Sequence, residues 1–182
     1  GLVLLPSVLL LGGWLVSRSK PDPEYQGKPV SYWMMQTGSD DLTKNEGLSA
    51  IGTNAIPYLA MALTTHPSHF GRLLDKLRPR FPRQMKGFFP NALTEYRAYE
   101  IRARAVTALG AFGFEAIPAL RAFHKALHDD NASIVGNALS TLYNSIGPTK
   151  DSIPHLIAVW NSTNLLVRRV ARPSVLANLR KV

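Results

Sequence analysis

Three stretches of this chain repeat one helix-starting device: Gly52-Thr53-Asn54-Ala55-Ile56-Pro57-Tyr58-Leu59, Gly113-Phe114-Glu115-Ala116-Ile117-Pro118-Ala119-Leu120, and Asp151-Ser152-Ile153-Pro154-His155-Leu156 after Gly147. Proline suits the first turn of a helix, where its missing N–H would have no intrahelical partner, and glycine suits the end of the helix before it. Each block therefore reads as helix, tight turn, helix. A hairpin that recurs every few tens of residues is the mark of a solenoid, in which no unit buries its apolar face alone.

Apolar residues after each proline fall at helical spacing: Ile56, Leu59 and Leu63; Ile117, Leu120, Phe123 and Leu127; Ile153, Leu156, Ile157 and Trp160. These stripes predict the second helix of each unit. The first helices are predicted from Ile101, Ala105, Leu109 and Phe112, from Ile134, Ala138, Leu142 and Ile146, and from Val167, Ala171 and Val175. Short oxygen-bearing side chains precede them and read as N-caps: Asp41, Thr94, Asp130, and Thr163 or Asn164. The acid pairs Asp40-Asp41 and Asp129-Asp130 fit that reading, and Pro173 is expected to kink the last helix.

The run Ile101-Arg102, Ala105, Ala108-Leu109-Gly110, Gly113 and Ala116-Ile117-Pro118-Ala119-Leu120 resembles the HEAT repeats of the PBS-lyase-like type. The resemblance covers residues 41–182 and is best in the central unit; Val135 stands at the place of Arg102 in the next unit, and Lys44 at that of Ala105 in the first. It implies an all-α fold, an α-solenoid of stacked hairpins, with protein binding as its usual role and an Arg at positions 102 and 168 as a structural residue. Tyr25-Gln26-Gly27-Lys28-Pro29-Val30-Ser31-Tyr32-Trp33 ahead of such repeats is similar to bacterial membrane-anchored HEAT proteins.

The chain divides on this reading into an apolar segment 1–16, a linker and capping segment 17–40, and a repeat domain 41–182. Its units are 41–65, 94–128, 130–161 and 163–182, the last without its second helix. Gly1 to Val16 carries no charge and is followed by Arg18 and Lys20. Sixteen residues fall short of the roughly 20 that cross a hydrocarbon core; the sequence opens on Gly1 rather than Met, and the segment is read as continuing upstream. Trp14 suits a membrane interface and the Leu11–Val16 stretch offers a poor cleavage site, so an uncleaved anchor is favoured over a cleaved signal or a buried helix. That implies a membrane-associated protein, on the extracytoplasmic side for preference.

Pro57 and Pro118 lie 61 residues apart but Pro118 and Pro154 only 36, which places an insertion at about residues 66–90. It holds Arg72, Lys76, Arg78, Arg80, Arg83 and Lys86 against Asp75 alone, with Phe81, Phe88 and Phe89 among its prolines. Leu73, Leu74 and Leu77 predict a short amphipathic helix there. Arg168, Arg169 and Arg172 form a second basic cluster, in a chain of formal charge +9. Both clusters are candidate contacts to an anionic partner, lipid or, as the lesser reading, nucleic acid, with the phenylalanines stacking or entering lipid. Solvated arginines around a loop that plugs the solenoid account for the same letters. Trp33 is a further candidate aromatic contact, read by preference as covering the open end of the first repeat.

His124 and His128, four residues apart beside Asp129, have the spacing that presents two imidazoles to one metal. The repeat alignment instead puts His124 where Leu63 and Trp160 stand, at the edge of the core, and supplies no third ligand; His66 and His69 flank Pro67 and are weaker still. Cysteine is absent, which removes disulfides and thiolate chemistry from this chain. No phosphate loop, nucleophile elbow or metalloprotease helix is present in the sequence, so the expectation is a binding scaffold that is not an enzyme, with no metal, cofactor or small-molecule substrate implied.

Overall fold

The computed structural model of the chain describes residues 22–36, 45–80, 93–146 and 149–179. Gly52 and Gly113 build the turns that the first two blocks predict, with Pro118 inside the 3-10 segment after the second, while Gly147 of the third block lies outside the described residues. Gly52 and Gly113 sit at φ 62° and 55°, the left-handed region that side chains resist, and each turns the chain from one helix toward the next. Pro57 and Pro154 occupy the first turn of the helices Ile56–Leu63 and Ile153–Trp160.

A two-residue antiparallel ladder, β1 (Glu24–Tyr25) with β2 (Lys28–Pro29), comes first, closed by Gln26 and Gly27 at positive φ. Two successive positive φ values are what a two-residue hairpin requires. The all-α expectation is corrected to that extent. Helix α1 (Val30–Met35) follows at once, then α2 (Glu46–Ile51), α3 (Ile56–Leu63) and α4 (His69–Leu77). The long helix α5 (Glu95–Ala111) leads through a 3-10 segment, Gly113–Ala119, into α6 (Leu120–Ala126). Helices α7 (Ala132–Thr141), α8 (Ile153–Trp160) and α9 (Leu165–Leu179) complete the described chain.

The helices stack in order. First helices α5, α7 and α9 pack one on the next, while α3 lies against α5 and α6, and α8 against α9. The contacts are made by small and branched residues: Ala105, Ala108 and Leu109 of α5, Ile134, Ala138 and Leu139 of α7, and Val167, Ala171 and Val175 of α9 are all buried. Alanine at the crossing points lets backbones approach closely, and one apolar cluster runs from Val30 to Val175. The stripes read for α3, α7 and α9 are the buried ones.

The second helix of the central unit departs from its predicted stripe. Residues 113–119 wind as a 3-10 helix with three residues per turn, so the phase read with an α period drifts around the axis. Ala116, Ala119, Ala122, Phe123, Ala126 and Leu127 point inward, Leu120 is half-buried, and Ile117 is 47% exposed. Ile157 of α8 is likewise exposed, its inward place being taken by Val159 beside Leu156.

The caps shift as well. Thr94 and Asn164 cap α5 and α9 as expected, accepting from Arg97 N and from Leu166 N. Asn131, not Asp130, caps α7, because Asp129 Oδ1 takes the N–H of Asn131 and sets the turn one residue later. Asn45 caps α2, while Asp40 and Asp41 lie outside the described residues. Helix α9 is continuous through Pro173, which stands on its exposed side.

At the front of the stack Val30 and Met34 are buried and Trp33 lies on Gly47, where any Cβ would collide with the indole ring. Asn45 Nδ2 donates to Trp33 O at 2.6 Å, and Tyr25 Oη donates to Glu46 at 2.8 Å. The hairpin and α1 thus cover the first repeat. The proposed anchor, residues 1–16, lies outside the described residues, and no described helix is long and apolar enough to cross a membrane.

The inward register of α6 is open to a direct check. Truncating Phe123, fully buried, to alanine should lower stability by about 3–5 kcal/mol, whereas Ile117→Ser should change it by about 0.5 kcal/mol or less. Urea denaturation of the two variants measures both, and a loss at Ile117 as large as that at Phe123 would restore the stripe read from the sequence.

Candidate functional site

Among the described residues, helix α5 carries the one charged side chain that is buried. Arg102 is 3% exposed, and its Nη1 donates at 3.0 Å to the carbonyl of Thr65, just past the end of α3. Carbonyls at a helix end lack intrahelical donors, so a cation there is doubly favoured. On its other side Nε stands 3.2 Å from Asp129 Oδ2, with its N–H off line, so that pair is held by Coulomb attraction rather than by a hydrogen bond. Asp129 is itself nearly buried and uses Oδ1 to hold the turn before α7. Glu95 lies 3.9 Å from Nη2 at the surface. One guanidinium therefore joins the end of α3, the body of α5 and the start of α7, three consecutive units.

Beside this node opens a cleft of about 440 Å³, lined among others by His66, Arg72, Glu95, Lys125, His128 and Asp130. Cations and acids alternate around it. Arg72 reaches it from α4, which docks through buried Pro67, Gly71 and Leu74 and whose Asp75 accepts the N–H of Glu95 at 2.8 Å, tying the insertion to the start of α5.

A second cleft, about 480 Å³, lies between α6 and α8 and is lined by Leu120, Arg121, His124, Lys125, His128, Asp151 and His155. His124 stacks on His155 with ring centroids 4.2 Å apart, and His128 Nε2 is 3.2 Å from His155 Nδ1. His124 Nε2 also meets Ser152 Oγ at 3.1 Å. Burial, followed by the charges of His155 and His128, holds the His124 pKa below its ordinary 6.5, with Asp151 pulling the other way. Helical spacing brought His124 and His128 together as the sequence suggested. His155 was missed: it comes from the next hairpin, and a lone histidine after a proline gives no sign of the ring it will face. The three rings stack and bond to each other instead of converging, and among the described residues no group of three His, Asp or Glu side chains is placed to hold a metal ion.

The basic candidates are placed as follows. Arg72, Lys76, Arg78 and Arg80 are exposed on α4 and the 3-10 turn after it; Arg83, Lys86, Phe81, Phe88 and Phe89 lie outside the described residues. Within the insertion the described helix 69–77 buries Leu74 and exposes Leu73. On α9, Arg168 is half-buried, Arg169 is exposed, and the guanidinium of Arg172 lies over the Trp160 ring at 5.2 Å, a cation–π contact. The two clusters sit on helices packed against different neighbours, α4 on α5 and α9 on α7 and α8. Trp33 is half-buried, its indole N–H directed at the carbonyls of Tyr25 and Lys28. An apolar pair not singled out by the sequence is more prominent: Phe114 is 73% exposed, and it shares one side of the 3-10 turn with Ile117, three residues on.

Residues 91–175 match the family described as HEAT repeats. No curated protein and no solved structure matches the chain.

Breaking the Arg102 node should be costly because a nearly buried carboxylate is left behind. Arg102→Met is expected to lower stability by about 3–5 kcal/mol, and adding Asp129→Asn should recover part of that loss. A double-mutant cycle by urea denaturation measures the coupling; additive effects of the two substitutions would show that the pair is not one unit.

Proposed function

We propose that this chain, whose residues 91–175 match the family of HEAT repeats, is a non-catalytic HEAT-repeat scaffold that holds a protein partner on the surface of its stacked hairpins. The observation that carries the reading is the outward pair Phe114 and Ile117 on the turn of the best-formed unit. Large apolar side chains displayed together on a rigid turn are what a protein partner buries, and they bring the helix phase of the central unit out of its expected register to do so. The residues that recur from unit to unit are those of packing, turning and capping, and such a framework carries chemistry only where a site is added to it. HEAT repeats serve most often to bind proteins.

The tether belongs to the same proposal. The uncharged stretch Gly1 to Val16, followed by Arg18 and Lys20, would hold the solenoid close to a membrane, which restricts its partners to those at the same surface. A second reading, an electrostatic contact to anionic lipid or nucleic acid, is favoured by the exposure of Arg72, Lys76, Arg78 and Arg80 along one helix and turn.

A pull-down from membranes separates the two. The doubly substituted Phe114→Ser, Ile117→Ser chain should lose partner proteins that the unaltered chain retains, and retention should change little between about 50 and 200 mM salt, where binding through several phosphate contacts falls about a thousandfold or more. Capture that ignores both substitutions and collapses with salt would transfer the case to the electrostatic reading.

A further inference from the structure

His124, His128 and His155 make the side-chain contact between α6 and α8, and that contact tolerates few protons. The His128 Nε2 to His155 Nδ1 approach of 3.2 Å needs one nitrogen bearing hydrogen and the other bare. An imidazolium has N–H on both nitrogens, so two cations here would set donor against donor. His124 lies on the same His155 ring at 4.2 Å with only 21° between the planes, where two charged rings would face each other. The third tie runs from His124 Nε2 to the buried Ser152 hydroxyl, which is in turn 2.9 Å from Thr149 Oγ1.

The surroundings do little to offset added charge. From α6, Arg121 and Lys125 line the same cleft, and from the turn before α8 only Asp151 opposes them. On the far side of His128 the neighbouring cleft contributes Asp129 and Asp130 with Arg102, Arg72, Glu95 and His66, a mixed set in which Asp129 is already engaged by Arg102.

We propose that this three-histidine contact is an acid-sensitive joint between the second and third hairpins, forced apart when acid puts a charge on more than one of its rings. The ties between α6 and α8 described above pass through these rings, whereas α5 to α7 are joined by apolar packing and the Arg102–Asp129 pair, and α7 to α9 by apolar packing. Acid therefore loosens one side of the stack and leaves the other, which changes the angle between hairpins and the shape of the surface they present. The direction follows from His124. Its folded pKa lies below the ordinary 6.5, so the folded joint binds fewer protons than the unfolded chain; the stability is complete above 6.5 and is lost as pH falls through the folded value. The joint does not depend on which partner the scaffold holds.

Amide hydrogen exchange on the whole chain, corrected for the intrinsic rate at about pH 7.5 and about pH 5.5, tests it. Protection across 120–126 and 153–160 is expected to fall about threefold or more at the lower pH relative to α3 and α5. His155→Phe keeps a ring for His124 to stack on but cannot titrate, and it should abolish most of that difference. An equal fall in His155→Phe, a fall spread evenly over all helices, or no fall at all would overturn the proposal. Should His155→Phe not fold, the profile of the unaltered chain decides alone: a loss confined to α6 and α8 supports the joint, and any other pattern rejects it.

Discussion

A two-helix hairpin with one apolar stripe has nowhere to put that stripe except against another hairpin, and every feature of this chain follows from that need. Val30 through Val175 form one apolar cluster only because each first helix lies on the next. Alanine at the crossings keeps the helices close, so the interior is thin and continuous instead of thick and central. It also means that the open front of the stack must be closed. The β-hairpin and α1 do so with Val30 and Met34 inside and Trp33 pressed on Gly47, a glycine whose hydrogen is the only substituent the indole leaves room for.

Arg102 sits within that thin interior and shows how polar bonds can be distributed in a solenoid. An isolated buried cation is prohibitively expensive, but here the backbone supplies an unsatisfied carbonyl at one end and a preformed carboxylate at the other. Asp129 cannot move to solvent without giving up the turn before α7, because its second oxygen holds Asn131 N. The Arg102 hydrogen bond to Thr65 O and its ion pair with Asp129 therefore tie three units together, the hydrogen bond being sensitive to small slides in a way that apolar contact is not. In the following unit Val135 occupies the corresponding place and is fully buried, so the registration there rests on packing and on the histidine contact.

Much of this was legible in the letters, and the limits of legibility have physical causes. The glycine and proline blocks marked the turns because left-handed φ and a missing N–H are properties of single residues, readable without neighbours. The stripe of α9 was readable because an α period holds along it; that of α7 stays buried to Leu142 and Ile146 although Leu142–Ile146 winds as a π-helix. That of α6 was not readable, since nothing in Ala116-Ile117-Pro118 announces that the chain will wind with three residues per turn up to Ala119. The basic clusters were easily seen and their distribution was not: α4 and α9 dock on different helices, and only Arg72 reaches a cleft with acids in it. His155 was invisible for a related reason, as its partners lie on another hairpin about 30 residues away and pair only through the stacking of repeats.

The interfaces between successive units are therefore of different kinds, and this bears on how such a body can work. Where α3, α5 and α7 meet, a guanidinium locked by a carbonyl and a carboxylate resists shear. Where α6 meets α8, three imidazole rings and two hydroxyls make the contact, the proposed acid-sensitive joint. Where α7 meets α9, the contact is apolar, made by side chains such as Ile134, Ala138, Val167 and Ala171. A solenoid built of identical joints would flex uniformly along its length. In this one the proposed joint lies behind the Arg102 node and next to the central unit that displays Phe114 and Ile117, so opening it would alter the surface behind that pair and leave the front in register.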